Sequence, residues 1–163
     1  MAAPSVSLEG KSLWLAQSLP VTAWQVLRAK LRMHLLLTAV PGAVLGVCLV
    51  AVCDFPAAQM AAVLALAAVF LVFSALLNLF LGLKMPNLHW TSEITPIKQS
   101  GAVAIALLGG WAYAAAMAVL YFLVGRHMGF AAYMAAFLAL TLAAAVLLYI
   151  WVRKKGCAIF ASL

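Results

Sequence analysis

The stretch FPAAQMAAVLALAAVFLVFSALLNLFLGL, residues 55–83, decides the fold class of this chain. It contains no charged residue from end to end. The hydrocarbon core of a bilayer is about 30 Å thick, and a helix that crosses it needs roughly 20 mainly apolar residues. Because lipid offers the backbone no hydrogen-bond partners, a segment rich in Ala, Leu and Val pairs its own amides as an α-helix. This stretch therefore predicts a helix that spans a membrane.

Three further apolar runs have a similar character: residues 35–53, 99–125 and 128–152. The 163-residue chain is 69% hydrophobic and 8% charged, whereas a soluble domain carries about 25% charged residues. The period-two alternation of membrane β-strands is absent from these runs. The sequence therefore predicts an all-α integral membrane protein with about four transmembrane helices. No room is left for a separate soluble catalytic domain.

The lysines and arginines indicate how the spans are oriented. Nine of the ten precede the first run, lie between the second and third runs, or follow the fourth, and the tenth is Arg126. Cytoplasmic loops carry such an excess of basic residues. We therefore expect both termini and the middle loop in the cytoplasm, and the short turns at 53–56 and 125–129 outside. These turns predict two antiparallel hairpins that pack together.

The net charge of +7 does not indicate nucleic acid as a partner. The cations sit at the ends of apolar runs, whereas nucleic-acid affinity needs a concentrated basic footprint. The bilayer itself, with its lipid, is the expected surrounding of the chain.

Residues suited to chemistry are scarce. The three histidines, His34, His89 and His127, fall near the ends of the runs and have no partner at useful spacing. The three cysteines form no CxxC pair and no zinc-type spacing with histidine. Single polar residues within the spans are more often interhelical hydrogen-bonding groups than reactive ones, and they include Gln59, Asn78 and Thr141. An intramembrane enzyme is therefore disfavoured, and we predict no catalytic residue, metal site or cofactor.

A helix is predicted to begin after Thr22, because Gln25 three residues later completes a capping box. From that start, apolar residues and polar residues recur every three to four positions on two separate sides of the predicted helix. The apolar side carries Trp24, Leu27 and Leu31, and the polar side carries Gln25, Arg28 and Arg32. This basic amphipathic pattern fits a helix in the cytoplasmic headgroup layer that then turns into the first span. It fits equally well a snorkelling approach to that span.

The segment Gly10-Lys11-Ser12 is not a nucleotide site. A phosphate-binding loop needs a glycine five residues before its Gly-Lys pair and a preceding apolar strand, and Ser5 stands at that position. We interpret Glu9 and Lys11 instead as exposed charges that contact another protein.

The second cytoplasmic segment, residues 84–100, is polar and leads into the third span. Thr95 followed by Pro96 predicts the start of the third helix, with Thr95 as N-cap and proline at the first helical position. The residues between the second span and this predicted helix start have an alternative interpretation as an ordinary solvated loop.

Together the two segments resemble the C-terminal part of permease subunits of ABC-2-type transporters, a group of bacterial ABC exporters. The resemblance rests on SLEGKSLW at 7–14, SLPV at 18–21, MPNLHW at 85–90 and IKQS at 97–100, with similarity also at residues 155–163. It covers most of the chain. Members of the family are normally several times longer, so the chain resembles a C-terminal fragment or one piece of a split gene. Gly82 stands where the family often has an acidic residue.

The resemblance implies a multi-pass permease of the bacterial plasma membrane that moves substrate while a separate cytoplasmic ABC ATPase subunit hydrolyses ATP. The chain itself is then not an enzyme, and its other partners are further permease helices. The implied ATPase-coupling contact consists of Glu9, Gly10, Lys11, Trp14, Trp24 and Arg28. A second cytoplasmic contact consists of Trp90, Glu93 and Lys98. The implied organisation is coupling-type and interfacial helices at 1–33, the transmembrane domain at 34–155 and a cytoplasmic tail at 156–163.

A small self-assembling channel or scaffold without an ATPase remains the alternative. Gly42 and Gly46 form a G-x-x-x-G pair, and small residues of this kind let helices approach closely in lipid. The Pro41-Gly42 pair is expected to interrupt the first span, either for gating or to fit packing. Oligomerisation would cover the small-residue faces of the spans.

Overall fold

The computed structural model describes residues 2–8, 18, 20–87 and 100–162. Throughout these residues the regular structure is helical, with no strand, so the all-α prediction is confirmed. The helices are α1 (Ala2–Ser7), α2 (Ala23–Val52), α3 (Ala57–Lys84), α4 (Gly101–Leu120), α5 (Phe130–Trp151) and α6 (Cys157–Ser162). A π-helical turn (Tyr121–Gly125) and a short α segment (Arg126–Met128) extend α4, and a second π-helical turn (Val152–Gly156) joins α5 to α6.

Four helical stretches of the described chain are long and apolar enough to cross a membrane. They are Ala23–Val52, Ala57–Lys84, Gly101–Met128 and Phe130–Ser162. By the length and composition of these helices, the prediction of a multi-pass membrane protein with four candidate spans is confirmed.

The start of α2 agrees with the predicted capping box. The backbone amide of Thr22 donates to Oε1 of Gln25 at 2.7 Å, and the amide of Gln25 donates to Oγ1 of Thr22 at 3.3 Å. From Ala23 the helix then runs without a break to Val52 and includes Pro41. The boundary predicted at 33/34 therefore does not coincide with a helix end, and Pro41 does not end the span. Spanning helices tolerate proline in this way, because neighbouring groups and small local adjustments accommodate the lost amide.

The structure describes the third spanning helix from Gly101, and Ser100 before it is in an extended conformation (φ −74°, ψ 128°) at the N-cap position. The start predicted at Thr95 and Pro96 lies outside the described residues. At its other end the helical path continues to Met128, so the turn predicted at 125–129 reduces to Gly129. Gly129 has φ +83°, which a residue with a side chain rarely adopts.

The central helix of the structure is α3, which contacts α1, α2, α4 and α5. Its buried residues concentrate in the half that leads to Lys84. They are Leu66, Ala75, Leu76, Leu79, Leu81, Gly82 and Leu83. By contrast, none of the residues of α2 that follow His34 is buried. The second half of α2 therefore presents apolar side chains outward. This half packs on α3 along one face and leaves the rest for lipid or further helices.

The G-x-x-x-G pair lies where α2 packs on α3. A Cβ atom added at Gly42 would come within 3.0 Å of Cδ1 of Leu71, and one at Gly46 within 3.4 Å of Cδ2 of Leu64. Gly42 therefore allows a close contact with Leu71 of α3, whereas a Cβ atom at Gly46 would make an ordinary van der Waals contact with Leu64.

Candidate functional site at the basic end of the bundle

Six buried apolar residues form one cluster at the end of the bundle where α2 begins and α3 ends. We call it the basic-end cluster, and it consists of Val6, Leu27, Leu79, Leu83, Val152 and Phe160. Each member has an exposed fraction of 2% or less. The cluster joins α1, which is too short to span a membrane, and α6, which ends the fourth helical stretch, to the ends of α2 and α3 and to the π-helical turn after α5. Both short helices are therefore packed parts of the bundle.

Two hydrogen bonds hold α1 in this position. The Lys30 Nζ donates to the carbonyl oxygen of Ser5 at 2.8 Å, and the Asn87 amide donates to Oγ of Ser7 at 3.0 Å. Between them Val6 is fully buried. Because the bonds come from α2 and from the segment after α3, they fix α1 across the ends of both helices.

An exposed cation follows each of three cluster residues in the chain. Arg28 follows Leu27, Lys84 follows Leu83 and Arg153 follows Val152. With their exposed neighbours along the helices they make a group that we call the basic collar: Arg28, Arg32, Lys84, Arg153, Lys154 and Lys155. Since one buried cluster joins their chain neighbours, the cations of three helices surround the same end of the bundle.

Two aromatic contacts lie beside the collar. The rings of Trp24 and Tyr149 meet edge to face, with their centroids 5.6 Å apart, and join α2 to α5. The rings of Phe80 and Trp151 are 4.6 Å apart and join α3 to α5. Trp and Tyr are enriched where a membrane protein crosses the headgroup region. Their position beside the collar is typical of that depth.

Two residues of the predicted coupling contact lie in the described part of the chain. Trp24 is half-buried and its ring packs on Tyr149, so much of its surface is used within the bundle. Arg28, one turn later, is exposed and available to a partner. The other predicted contact residues lie outside the described residues: Glu9, Gly10, Lys11, Trp14, Trp90, Glu93 and Lys98.

A polar and aromatic network joins α4 to α5 at membrane depth. The hydroxyl groups of Tyr113 and Thr141 are 2.7 Å apart, and Tyr133 donates to the carbonyl oxygen of Met117. Thr141 therefore makes an interhelical hydrogen bond, as its type and position in the span predicted. Neither tyrosine was among the predicted hydrogen-bonding residues, although a tyrosine within an Ala-rich span indicates one, because its hydroxyl needs a partner there. Of the two other polar residues of this kind, Gln59 and Asn78, the second donates to the carbonyl of Ser74 in its own helix at 2.7 Å.

A groove of about 790 Å³ lies between α2 and α3, away from the basic end. It is lined by residues between 42 and 51 of α2 and between 64 and 71 of α3, and these are almost entirely apolar. The lining offers no acid, base or nucleophile, so the groove suits an apolar occupant. Across the described ranges, no three His, Cys, Asp or Glu side chains are grouped so that they could hold a metal ion.

Comparisons of the chain with protein-family models, with curated proteins and with solved structures give no match. The functional interpretation therefore rests on the residues and on the geometry of the basic end.

Proposed function

We propose that this chain is a permease subunit of an ABC-2-type transporter, or the C-terminal part of one, which moves substrate across the bacterial plasma membrane. A separate cytoplasmic ATPase subunit hydrolyses the ATP. The observation that carries the proposal is the packed basic end, where the basic-end cluster fixes α1 and α6 against three spanning helices. Such a firm connection is what a permease needs if movement of a bound ATPase is to reach its spans.

The orientation with both termini in the cytoplasm is part of this proposal. It is supported by the basic collar at one end of the bundle, and by the lone Arg126 in the short segment between α4 and α5. Basic residues near span ends favour the cytoplasmic side. The four-residue connection between α2 and α3 and the single Gly129 between α4 and α5 support antiparallel hairpins, because such short links leave the chain no other path.

The proposed ATPase contact comprises the segment around Glu9 and Lys11 together with Arg28. In the amphipathic first part of α2, Leu27 is buried on one side while Arg28 and Arg32 are exposed on the other. An exposed cationic face carried by a buried anchor suits a contact with a partner that offers carboxylates. The second proposed contact comprises Trp90, Glu93 and Lys98.

Co-purification tests both levels of the proposal. The tagged chain is extracted from its native membranes in mild detergent, and an ABC ATPase is sought by mass spectrometry and by its ATP hydrolysis. The charge-reversal variant Glu9→Arg/Lys11→Glu should lose the ATPase. The matched control Asp54→Arg/Arg126→Glu reverses one acid and one base at the other end and should keep it. If Glu9→Arg/Lys11→Glu keeps the ATPase, the coupling assignment fails, and if the unmodified chain brings down none, the permease proposal fails.

A self-assembling channel or scaffold is the second candidate, favoured by the outward-facing half of α2. Val40 is 69% exposed, Val47 70% and Val52 80%, and the apolar groove lies beside them. Association of several copies through this face would cover it without any other protein. A homo-oligomer that is stable without an ATPase would support this candidate against the first.

A further inference from the structure

We propose that the basic collar is a binding site for anionic phospholipid headgroups in the leaflet at that end, and that it selects them over zwitterionic headgroups. This inference does not depend on the proposed transport function, because it needs only the chain and a bilayer. It rests on the depth, the charge and the arrangement of the six cations.

The aromatic contacts argue for headgroup depth. Trp24 precedes Arg28 by one helical turn, and Trp151 precedes Arg153 by two residues. Tryptophan prefers the interfacial layer, and the long side chains of Arg and Lys snorkel toward phosphate from such positions. The collar cations thus lie beside the phosphate groups of lipid before any soluble partner is bound.

The charges of the collar have no counterpart within the described residues. The only acidic residue there is Asp54, which is exposed beyond the far end of α2. Along α2, the rise of 1.5 Å per residue places Arg28 about 36 Å from the end of the helix, whereas salt screens charges beyond about 8 Å at physiological ionic strength. Within the described residues no carboxylate therefore neutralises the collar, which leaves its cations attractive to an anionic headgroup.

The π-helical turn presents three of these cations together. Arg153, Lys154 and Lys155 are exposed, while the residues that flank them, Val152 and Gly156, are buried. A Cβ atom at Gly156 would come within 3.0 Å of Cδ1 of Leu83, so the turn is packed tightly against α3. Because both ends of the turn are anchored, the backbone that carries its cations is held in place before a phosphodiester arrives. This preorganisation lowers the entropic cost of binding.

The test uses the purified chain in nanodiscs that contain equal amounts of phosphatidylglycerol and phosphatidylcholine with the same acyl chains. Lipids that stay bound when the protein is released are counted by native mass spectrometry. We expect phosphatidylglycerol to be retained in preference. Each cation near an anionic surface strengthens binding roughly fivefold, so Arg153→Gln should lower the preference by about that factor. Arg153→Gln/Lys154→Gln/Lys155→Gln should nearly abolish it.

The matched control is Arg126→Gln, which removes one exposed cation at the other end and should leave the preference unchanged. Raising the ionic strength from about 0.01 M to about 1 M shortens the screening length from about 30 Å to about 3 Å and should weaken the preference of the unmodified protein. The proposal is overturned if both lipids are retained equally. It is also overturned if Arg126→Gln lowers the preference as much as Arg153→Gln does. A collar that serves only a protein partner would show equal retention, together with loss of that partner in the triple variant.

Discussion

The hydroxyl groups of Tyr113 on α4 and Thr141 on α5 lie 2.7 Å apart, and Thr141 is 1% exposed. Thr141 also donates its own proton to the carbonyl oxygen of Phe137, at 2.7 Å. Tyr113 is therefore the donor in the shared bond, and every polar group of the pair is satisfied. Since lipid cannot replace either partner, this side-chain bond ties α4 to α5.

A double-mutant cycle with Tyr113→Phe and Thr141→Val measures this bond. Both substitutions keep the shape of the side chain and remove its hydroxyl. Interhelical hydrogen bonds in membranes contribute on average about 0.6 kcal/mol and at most about 1.7 kcal/mol. We expect a coupling free energy in that range from equilibrium unfolding in mixed micelles. A coupling free energy of zero would contradict the bond. Tyr149→Phe removes the hydroxyl of a more exposed ring and serves as the control, with little expected effect on the free energy of unfolding.

Gly125→Ala should destabilise the protein. Its Cβ atom would lie 2.7 Å from Cδ2 of Tyr121 and 2.8 Å from Cδ2 of Tyr133, and the hydroxyl of Tyr133 is tied to the Met117 carbonyl. Overpacking of this kind costs about 1–3 kcal/mol, measurable as a lower melting temperature in detergent.

The control for this substitution is Gly110→Ala, because nothing lies within 4 Å of the position of its Cβ atom. Alanine within a helix is favoured over glycine by roughly 0.5–1 kcal/mol, so Gly110→Ala should leave the melting temperature unchanged or raise it. Equal effects of the two substitutions would contradict the close approach at Gly125.

Phe160→Ala tests whether α6 is a structural part of the basic end. Phe160 is 2% exposed within the basic-end cluster, whereas Phe122 is 68% exposed on the outside of the bundle. Truncating a buried phenylalanine costs about 3–5 kcal/mol, and Phe122→Ala should change the stability by no more than about 0.5 kcal/mol. Thermal unfolding in detergent compares the two. If both variants have the same melting temperature as the unmodified protein, α6 is not packed as described.

The orientation is tested by cysteine labelling of intact cells. In a variant without the native cysteines, His127→Cys and Ser162→Cys place single thiols at exposed positions on opposite ends. A membrane-impermeant maleimide should label His127→Cys alone, and Ser162→Cys should react only after the cells are opened. The reverse pattern would mean that the basic end faces outward.

The features that the sequence predicted correctly are those fixed by local physics. Bilayer thickness sets the length of a span, so apolar run lengths predicted the four candidate helices. The capping box at Thr22 involves hydrogen bonds over three residues, so its pattern is visible in the sequence. The start predicted at Thr95 and Pro96 lies outside the described residues and stays a prediction, and the described helix begins at Gly101 after the extended Ser100.

The basic end could not be predicted in this way, because it depends on contacts between distant residues. The bond from Asn87 to Ser7 joins positions 80 residues apart, and no periodicity in either segment indicates that they meet. Likewise, the basic residues counted for orientation are scattered in the chain. Their arrangement as a collar follows only from the burial of Leu27, Leu83 and Val152 in one cluster.

The mass and composition of the complex isolated from native membranes distinguish a permease that binds an ATPase from a protein that assembles with itself. The tagged chain is purified in mild detergent, and native mass spectrometry gives the mass of the intact assembly and of its released subunits. We expect an assembly that contains an ABC ATPase subunit in addition to this chain. An assembly whose mass is a whole multiple of the 17.2 kDa chain, with no other protein present, would contradict it.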